Sequence, residues 1–148
     1  MKITQISMIA LFSLASAVAF AQHEHHPTET KTEPQTQDLG KLDKTVKKQL
    51  DNVLVTYFDL KDAFTETNAK KAAEKAGNFA KTLEKVETAK MTTAQQSFFA
   101  PLAKSMNTKA KYIAQLKEVE DQRLTFETVS GNILTLVKNL KFNDSPVY

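Results

Sequence analysis

From Leu42 onward, apolar residues recur every three or four positions, and charged residues occupy many of the positions between them. Positions three or four apart share one face of an α-helix, so this spacing predicts amphipathic helices. The first predicted helix has lysine and aspartate side chains on its polar face. Its apolar face consists of Leu42, Val46, Leu50, Val53, Leu54, Tyr57, Leu60 and Phe64.

A second predicted helix follows the polar stretch 65–68, in which Thr67 or Asn68 can accept hydrogen bonds from the free amides of the next helix. Small side chains dominate its apolar face and allow a neighbouring helix to approach closely. This face consists of Ala69, Ala72, Ala73, Ala76, Ala80, Leu83 and Val86. Gly77 lies in the same helix, where glycine costs about 1 kcal/mol relative to alanine, so we expect a tight contact or a slight bend there.

The third predicted helix begins at a pair of threonines. Thr92 is followed three residues later by Gln95, and Thr93 by Gln96, and either pair can form a capping box. The apolar face then consists of Phe98, Phe99, Leu102, Met106, Ala110, Ile113 and Leu116. Pro101 lies within this stretch and has no amide hydrogen, so the helix is expected either to kink there or to restart with Pro101 in its first turn.

A fourth predicted helix has Asp121 as its expected capping residue. Its inward face consists of Phe126, Val129, Ile133, Leu136, Val137 and Leu140. Its outward face is expected to carry Gln122, Arg123, Glu127, Asn132 and Lys138. The polar stretch 142–146, which ends in proline, predicts the end of this helix.

Four amphipathic helices joined by short connections must run in alternating directions. No segment shows the sustained alternation of apolar and polar residues that is typical of a strand. The sequence therefore predicts an all-α fold, an antiparallel up-down four-helix bundle formed by residues 41–148.

Residues 1–21 have the pattern of a secretory signal peptide. Lys2 supplies a positive charge, residues 6–20 are apolar apart from serine, and Ala19-Phe20-Ala21 has the small-x-small pattern that a signal peptidase cleaves. A retained anchor is the alternative, but the apolar run is shorter than the roughly 20 residues that cross a bilayer. We expect cleavage after Ala21, a periplasmic location and no membrane span afterwards, because no second apolar run follows.

Residues 22–40 are rich in Thr, Gln, Glu, Pro and Lys, a composition that predicts a flexible linker. All three histidines of the 148-residue chain lie in it, at His23, His25 and His26. Imidazole nitrogens bind Cu(II), Ni(II) and Zn(II), so these residues are the candidate metal ligands. The alternative interpretation is a spacer whose histidines have no metal-binding role.

Composition excludes several classes of function. The chain has no cysteine, which excludes thiolate catalysis, thiolate metal centres and lipid attachment through cysteine. No histidine follows His26, so the helices lack the Glu-x-x-His motifs of di-iron bundles and an axial histidine for haem. Loss of Lys2 with the signal peptide leaves 19 basic and 17 acidic residues, a balance too mild to indicate nucleic-acid binding. We therefore expect no enzyme activity, no cofactor within the bundle and no nucleic-acid partner.

Two stretches carry a resemblance to a known family. Residues 50–64 contain the motif Tyr-x-x-Leu-Lys-Asp-Ala at positions 57–63 and precede the alanine-rich helix, and residues 121–130 are followed by Leu-Val-Lys at positions 136–138. These stretches resemble the first and last helices of a bacterial family of exported helical domains, the domain of unknown function 3347. The resemblance covers residues 44–148, which are nearly all of the predicted bundle.

The resemblance implies a periplasmic protein associated with membrane-fusion subunits of copper and silver efflux pumps. Members of the family usually continue beyond the position of Tyr148 into a segment with Cys-Pro-Met and further sulfur residues, which suit Cu(I). The present sequence lacks that segment, so either it is a truncated form or this member has no sulfur site. No metal ligand is therefore carried over into the bundle.

Two functions of different class follow. In the first, the protein is a non-catalytic periplasmic accessory factor in copper or other heavy-metal handling. It would bind metal weakly through His23, His25 and His26 and contact an efflux-pump membrane-fusion component. In the second, it is a metal-independent helical interaction module that binds a protein or a small apolar ligand.

Overall fold

The computed structural model of the protein describes residues 39–142, and the regular structure of these residues is helical. The helices are α1 (Lys44–Thr65), α2 (Ala69–Glu84), α3 (Thr93–Ile113) and α4 (Val119–Leu140). A short 3₁₀ turn, Thr88–Lys90, lies between α2 and α3. Because residues 39–142 contain four α-helices and no strand, the predicted all-α class is confirmed.

Helices α1 and α2 lie side by side and run in opposite directions. Near the start of α1, Gln49 Nε2 donates to Glu87 Oε1, just beyond the end of α2, at 2.9 Å. Late in α1, Asp59 forms an ion pair with Lys75, and 3.0 Å separate Asp59 Oδ2 from Lys75 Nζ. An early residue of one helix thus contacts a late residue of the other, as an antiparallel order requires.

Helix α4 contacts both α3 and α1 and completes the bundle. Asn132 Nδ2 donates to Ser105 Oγ of α3 at 3.0 Å, and Tyr57 Oη of α1 donates to Ser130 Oγ at 3.2 Å. The Phe126 ring stacks on the Tyr57 ring with 5.3 Å between the ring centroids. These contacts, together with those between α1 and α2, confirm the predicted up-down four-helix bundle.

The predicted apolar stripes form the core. Every apolar residue predicted for the inward face of α1 is buried, and Val46, Leu50 and Leu60 have no exposed surface. The predicted alanine face of α2 is also inward, although the prediction omits Phe79, which is fully buried in the same core. Burial of a large apolar side chain contributes about 1.5–3 kcal/mol, so these stripes are the main source of stability.

The predicted capping residues begin α2 and α3. The Asn68 side chain accepts a hydrogen bond from Lys71 N at 2.9 Å. At α3, Gln95 N donates to Thr92 Oγ1 at 3.3 Å, and Thr92 N donates to Gln95 Oε1 at 3.0 Å. The two bonds between Thr92 and Gln95 form a capping box, so Thr92 and Gln95 are the predicted pair that the structure uses.

Several local expectations differ from the structure. The residue at the N-cap of α4 is Glu118, and the predicted cap Asp121 lies inside the first turn. Helix α3 runs through Pro101 without interruption, so the predicted restart at this proline is wrong. An added Cβ at Gly77 would meet no atom within 4 Å, so the predicted tight contact is wrong too.

Gln122 is fully buried, which makes its predicted outward orientation wrong. Its Nε2 lies 3.0, 3.2 and 3.1 Å from the carbonyl oxygens of Ala69, Ile113 and Leu116. All three neighbours are acceptors, so the amide nitrogen must face them. We call Gln122 and these three carbonyl groups the Gln122 clamp, because the side chain joins the start of α2 to the end of α3. Gln122 Oε1 has no hydrogen-bond partner among residues 39–142.

Helix α4 ends at Leu140, just before the stretch that predicts its end. Lys141 follows in the left-handed conformation, with φ 46°, and its amide donates to Val137 O at 3.1 Å. This turn leads the chain back into the core, where Phe142 is buried. Glycine adopts this backbone conformation freely, whereas a residue with a side chain pays roughly 1–2 kcal/mol. The end of α4 is therefore strained at a lysine.

Candidate functional site

Within residues 39–142, no helix is both long and apolar enough to span a membrane. The same part of the chain contains no group of three or more His, Cys, Asp or Glu side chains that could hold a metal ion. The predicted ligands His23, His25 and His26 lie outside the residues that the structure describes. The described bundle also has surface recesses and charged side chains.

A recess of about 490 Å³ opens on the surface where α3 faces α4. Its walls come from the first half of α3, from one residue of α4 and from the segment before α1. The lining residues are Leu39, Ala94, Ser97, Phe98, Pro101, Leu102 and Thr135. We call this surface the apolar recess, because none of the lining residues is charged and most of them are apolar.

Gln95 fixes one wall of the apolar recess. Its side chain is buried, and Nε2 donates to Leu39 O at 3.0 Å and to Lys41 O at 3.3 Å. Its Oε1 accepts the hydrogen bond from Thr92 that completes the capping box. One side chain thus holds both the start of α3 and the segment before α1. The sequence predicts the capping box, whereas the bonds to Leu39 and Lys41 depend on the tertiary fold.

Pro101 gives the recess a polar element. A residue in the interior of an α-helix donates its amide hydrogen to the carbonyl four residues earlier, and proline has none to donate. The Ser97 carbonyl oxygen therefore receives no such bond from Pro101, and both residues line the recess. The Thr135 hydroxyl in the opposite wall donates to Gly131 O at 2.9 Å. The recess consequently combines apolar walls with a few acceptor oxygens.

The charged side chains of α2 and α3 form exposed ion pairs. Lys111 Nζ lies 2.6 Å from Glu84 Oε1, and Asn107 Nδ2 donates to the same oxygen at 2.9 Å. The hydrogen bond from Lys111 lowers the pKa of Glu84, and that to Asp59 raises the pKa of Lys75. These shifts arise from contacts between neighbouring helices rather than from a desolvated acid or base. The charges thus act here as links between helices.

The fold and its surface define a helical-bundle domain with recesses at the helix junctions. Residues 53–145 match the family model described as "Protein of unknown function (DUF3347)". The match covers more than half of the chain, so the chain belongs to this family, and the resemblance carried by its first and last helices is confirmed. No curated protein and no solved structure gives a match.

Proposed function

We propose that the protein is a non-catalytic helical binding module whose apolar recess takes a small apolar ligand. The observation that carries this proposal is the uncharged lining of a recess of about 490 Å³. Small-molecule sites in proteins have volumes of about 300–1,000 Å³ and mostly apolar walls with a few polar groups. The recess has these properties, and its acceptor oxygens can orient a ligand that carries one hydrogen-bond donor.

The wall that Gln95 holds also supports this proposal. Leu39 lies outside the helices, yet the hydrogen bond from Gln95 to its carbonyl keeps it against α3. A preformed wall reduces the conformational entropy that a ligand must remove on binding. The recess is therefore built before a ligand arrives rather than formed around it.

Titration with N-phenyl-1-naphthylamine, an uncharged fluorescent probe, tests the recess. Ser97→Lys adds a charged side chain to the lining and is expected to weaken probe binding at least about fivefold, because an unpaired charge is unfavourable beside an apolar ligand. Ala100→Lys changes an exposed residue of the same helix outside the lining and is the matched control. Equal binding by both variants, or no saturable binding by the unmodified protein, would contradict the proposal.

One sequence observation favours a second function, metal handling by the N-terminal segment. His23, His25 and His26 lie within four consecutive positions, and imidazole is a common ligand of Cu(II), Ni(II) and Zn(II). We propose that these histidines bind such a metal with modest affinity in the periplasm, after signal cleavage behind Ala21. The partner in this proposal is an efflux-pump membrane-fusion component, as the family resemblance implies.

Calorimetric titration of Cu(II) and Zn(II) tests the metal proposal. The protein is compared with a variant in which His23, His25 and His26 are all replaced by alanine. Uptake by the unmodified protein alone is the expected result. Equal uptake by both proteins, or no uptake by either, would reject these histidines as a site. A deletion strain with unchanged copper tolerance would separately reject the role in copper handling.

A further inference from the structure

A second cavity, of about 480 Å³, lies at the end of the bundle where α1 begins and α4 ends. Four of the lining residues that the structure describes are lysines, and no acidic residue of the range 39–142 lines the cavity. The lining consists of Gly40, Lys41, Leu42, Lys44, Lys47, Leu140, Lys141 and Phe142. We call it the lysine cavity. It shares no lining residue with the apolar recess.

The floor of the lysine cavity is apolar. Leu42, Leu140 and Phe142 are 8%, 3% and 1% exposed, and all three belong to the hydrophobic core. Because they are almost fully buried, they offer little surface to a bound group, so apolar contact in the cavity comes mainly from the exposed edge of Leu42 and the aliphatic stems of the lining lysines. The strained turn at Lys141 creates this arrangement, since it brings Phe142 back under the end of α4.

The rim of the lysine cavity is positively charged. The side chains of Lys41, Lys44 and Lys141 are exposed and form no ion pair with another residue of the range 39–142. Asp43 is the acidic residue closest in sequence. Its carboxylate accepts hydrogen bonds from two backbone amides of the first turn of α1, at 2.8 and 3.4 Å, so it is occupied with the helix start.

Two of these lysines, at the start of α1, are in unfavourable positions for a helix without a bound anion, whereas Lys138 and Lys141 lie at the C-terminal end of α4, where the helix dipole favours positive charge. Residues 38–48 and 138–144 contain six lysines and three acidic residues. Lys44 and Lys47 lie at the start of α1, where the helix dipole disfavours positive charge, and the first turn has no acidic residue. Repulsion between the clustered charges adds to this effect. An anion in the cavity would relieve both.

We propose that the lysine cavity binds a small amphipathic anion, of the class of medium-chain carboxylates. The carboxylate is held by Lys41, Lys44 and Lys141, and the alkyl chain lies against Leu42 and the aliphatic stems of the lining lysines. A purely polar anion would leave the apolar floor unused, and a neutral apolar molecule would leave the charges of Lys41, Lys44 and Lys141 without an anionic partner in the cavity. The lining therefore matches a ligand that has both parts.

NMR titration of the full chain with octanoate tests this proposal. The expected result is saturable movement of the backbone amide signals of Gly40, Leu42 and Phe142, with little movement elsewhere. A double variant, Lys41→Gln with Lys44→Gln, is expected to raise the Kd for octanoate at least about tenfold, because it removes two charge-assisted contacts. These two side chains are exposed, so the variant is expected to fold.

The matched control is the double variant Lys48→Gln with Lys138→Gln. It removes the same charge from two exposed lysines at the same end that do not line the cavity. This control is expected to change the Kd less than about twofold, since exposed charges outside the site act only through screened solvent. Equal weakening by the two double variants would overturn the proposal, because it would show general attraction to a basic surface.

Three further ligands test the role of the carboxylate, the role of the alkyl chain and the alternative of a lipid surface. Acetate tests the head alone and 1-octanol tests the chain alone, and both are expected to bind at least about tenfold more weakly than octanoate. Acetate binding as tight as octanoate binding would overturn the role of the floor, and an equal result with 1-octanol would overturn the role of the lysines. Binding to phosphatidylcholine–phosphatidylglycerol vesicles without any response to octanoate would assign the lysines to a lipid surface and overturn the cavity proposal.

Discussion

The two ends of the bundle use their polar groups in opposite ways. At the end where α1 and α3 finish, the Gln122 clamp joins two helix ends, and Arg123 Nη2 donates to Phe64 O at 2.6 Å. At the other end, six lysines within residues 39–48 and 138–142 lie in or near the lysine cavity. We call these the clamp end and the lysine end.

The difference indicates which end of the bundle contributes more stability and which end could bind a ligand. The last four carbonyls of a helix have no partner within that helix, and Phe64 and Ile113 carry two such groups in α1 and α3. Side chains of α4 donate to both at the clamp end. The lysine end instead combines mostly positive charge with a residue in the left-handed conformation, Lys141, and the clamp end also has such a residue, Thr67. We therefore infer from the lysine cavity, and not from backbone strain, that the clamp end contributes stability and the lysine end offers a binding surface.

Gln122→Glu is the substitution expected to destabilise the clamp end most. The change puts a carboxylate beside three carbonyl oxygens in a fully buried position, where it has no donor to compensate it. An uncompensated buried charge costs about 3–5 kcal/mol, so the free energy of unfolding at neutral pH should fall by that amount. Urea denaturation followed by circular dichroism measures the change.

Gln122→Leu is the matched control, because it has similar volume and no charge. It leaves the three carbonyl oxygens without their shared donor and removes the unpartnered Oε1, so a smaller loss of about 1–3 kcal/mol is expected. If Gln122→Glu is no worse than Gln122→Leu, the site is open to water and the clamp is not a buried contact. Octanoate binding at the lysine end should be equal in both variants whenever they are folded.

The helices could be predicted from sequence because their apolar residues follow a single period. The stripe from Leu42 to Phe64 on α1 and the Thr92–Gln95 capping box both depend on residues close in the chain. The predicted outward orientation of Gln122 is wrong because its polarity favours the surface, whereas its spacing favours the core. It lies four residues before Phe126 and seven before Val129, which places it on the inward face that the structure shows.

The cavities form through contacts between residues that are distant in the sequence, and the spacing of neighbouring residues does not predict such contacts. The lysine cavity forms because residues 40–47 and 140–142 meet at one end of the bundle, nearly 100 positions apart in the chain. Sequence spacing predicts exposed lysines, but it does not predict that Phe142 returns beneath them. The same holds for Gln95, whose capping role is local, whereas its bond to Leu39 spans 56 positions.

Arg123→Met should weaken the clamp end by a smaller amount. It removes the hydrogen bond to Phe64 O and the contact with Thr67 Oγ1, but keeps the apolar stem of the side chain. A hydrogen bond from a charged donor contributes about 1.5–3 kcal/mol, and partial exposure places this loss near the lower limit. Urea denaturation again measures it. Glu120→Gln removes the exposed ion pair with Arg123 and one negative charge from the first turn of α4, and it should change the stability little. A loss equal to that of Arg123→Met would show that these charges matter more than the hydrogen bond to Phe64 O.

At the lysine end, Lys141→Gly should increase stability. Glycine adopts the left-handed conformation of this position without strain, so a gain of about 1 kcal/mol is expected, with a rise in Tm of roughly 4 °C. Lys141→Ala is the control, because it removes the charge and keeps the strain. An equal gain in both variants would identify charge repulsion rather than backbone strain as the cause. Thermal unfolding followed by circular dichroism measures both.

The smallest effect on stability is expected at Asp43, the acidic residue at the start of α1. Its carboxylate acts through the N-cap of this helix, and its contribution changes only with pH. The backbone N–H of Thr45 that donates to its carboxylate lowers the pKa of Asp43, and Lys90 adds a weaker contribution in the same direction. The ionised group therefore stabilises the folded state above its unfolded pKa of about 4, and this contribution is lost as the pH falls through the lower folded value.

The variant Asp43→Asn can keep the cap without a titrating group. Its Tm should match that of the unmodified protein at pH 7 and fall less steeply below about pH 4, because only the aspartate loses a stabilising charge there. Glu87 is a carboxylate whose pKa the charge of Asp43 raises, as the weakest of several contributions, so the difference between the two Tm curves reports mainly on residue 43. Parallel curves would contradict this assignment. A Tm that is already lower for Asp43→Asn at pH 7, and recovers in high salt, would show that Asp43 serves mainly to offset the charges of the lysines rather than to cap α1.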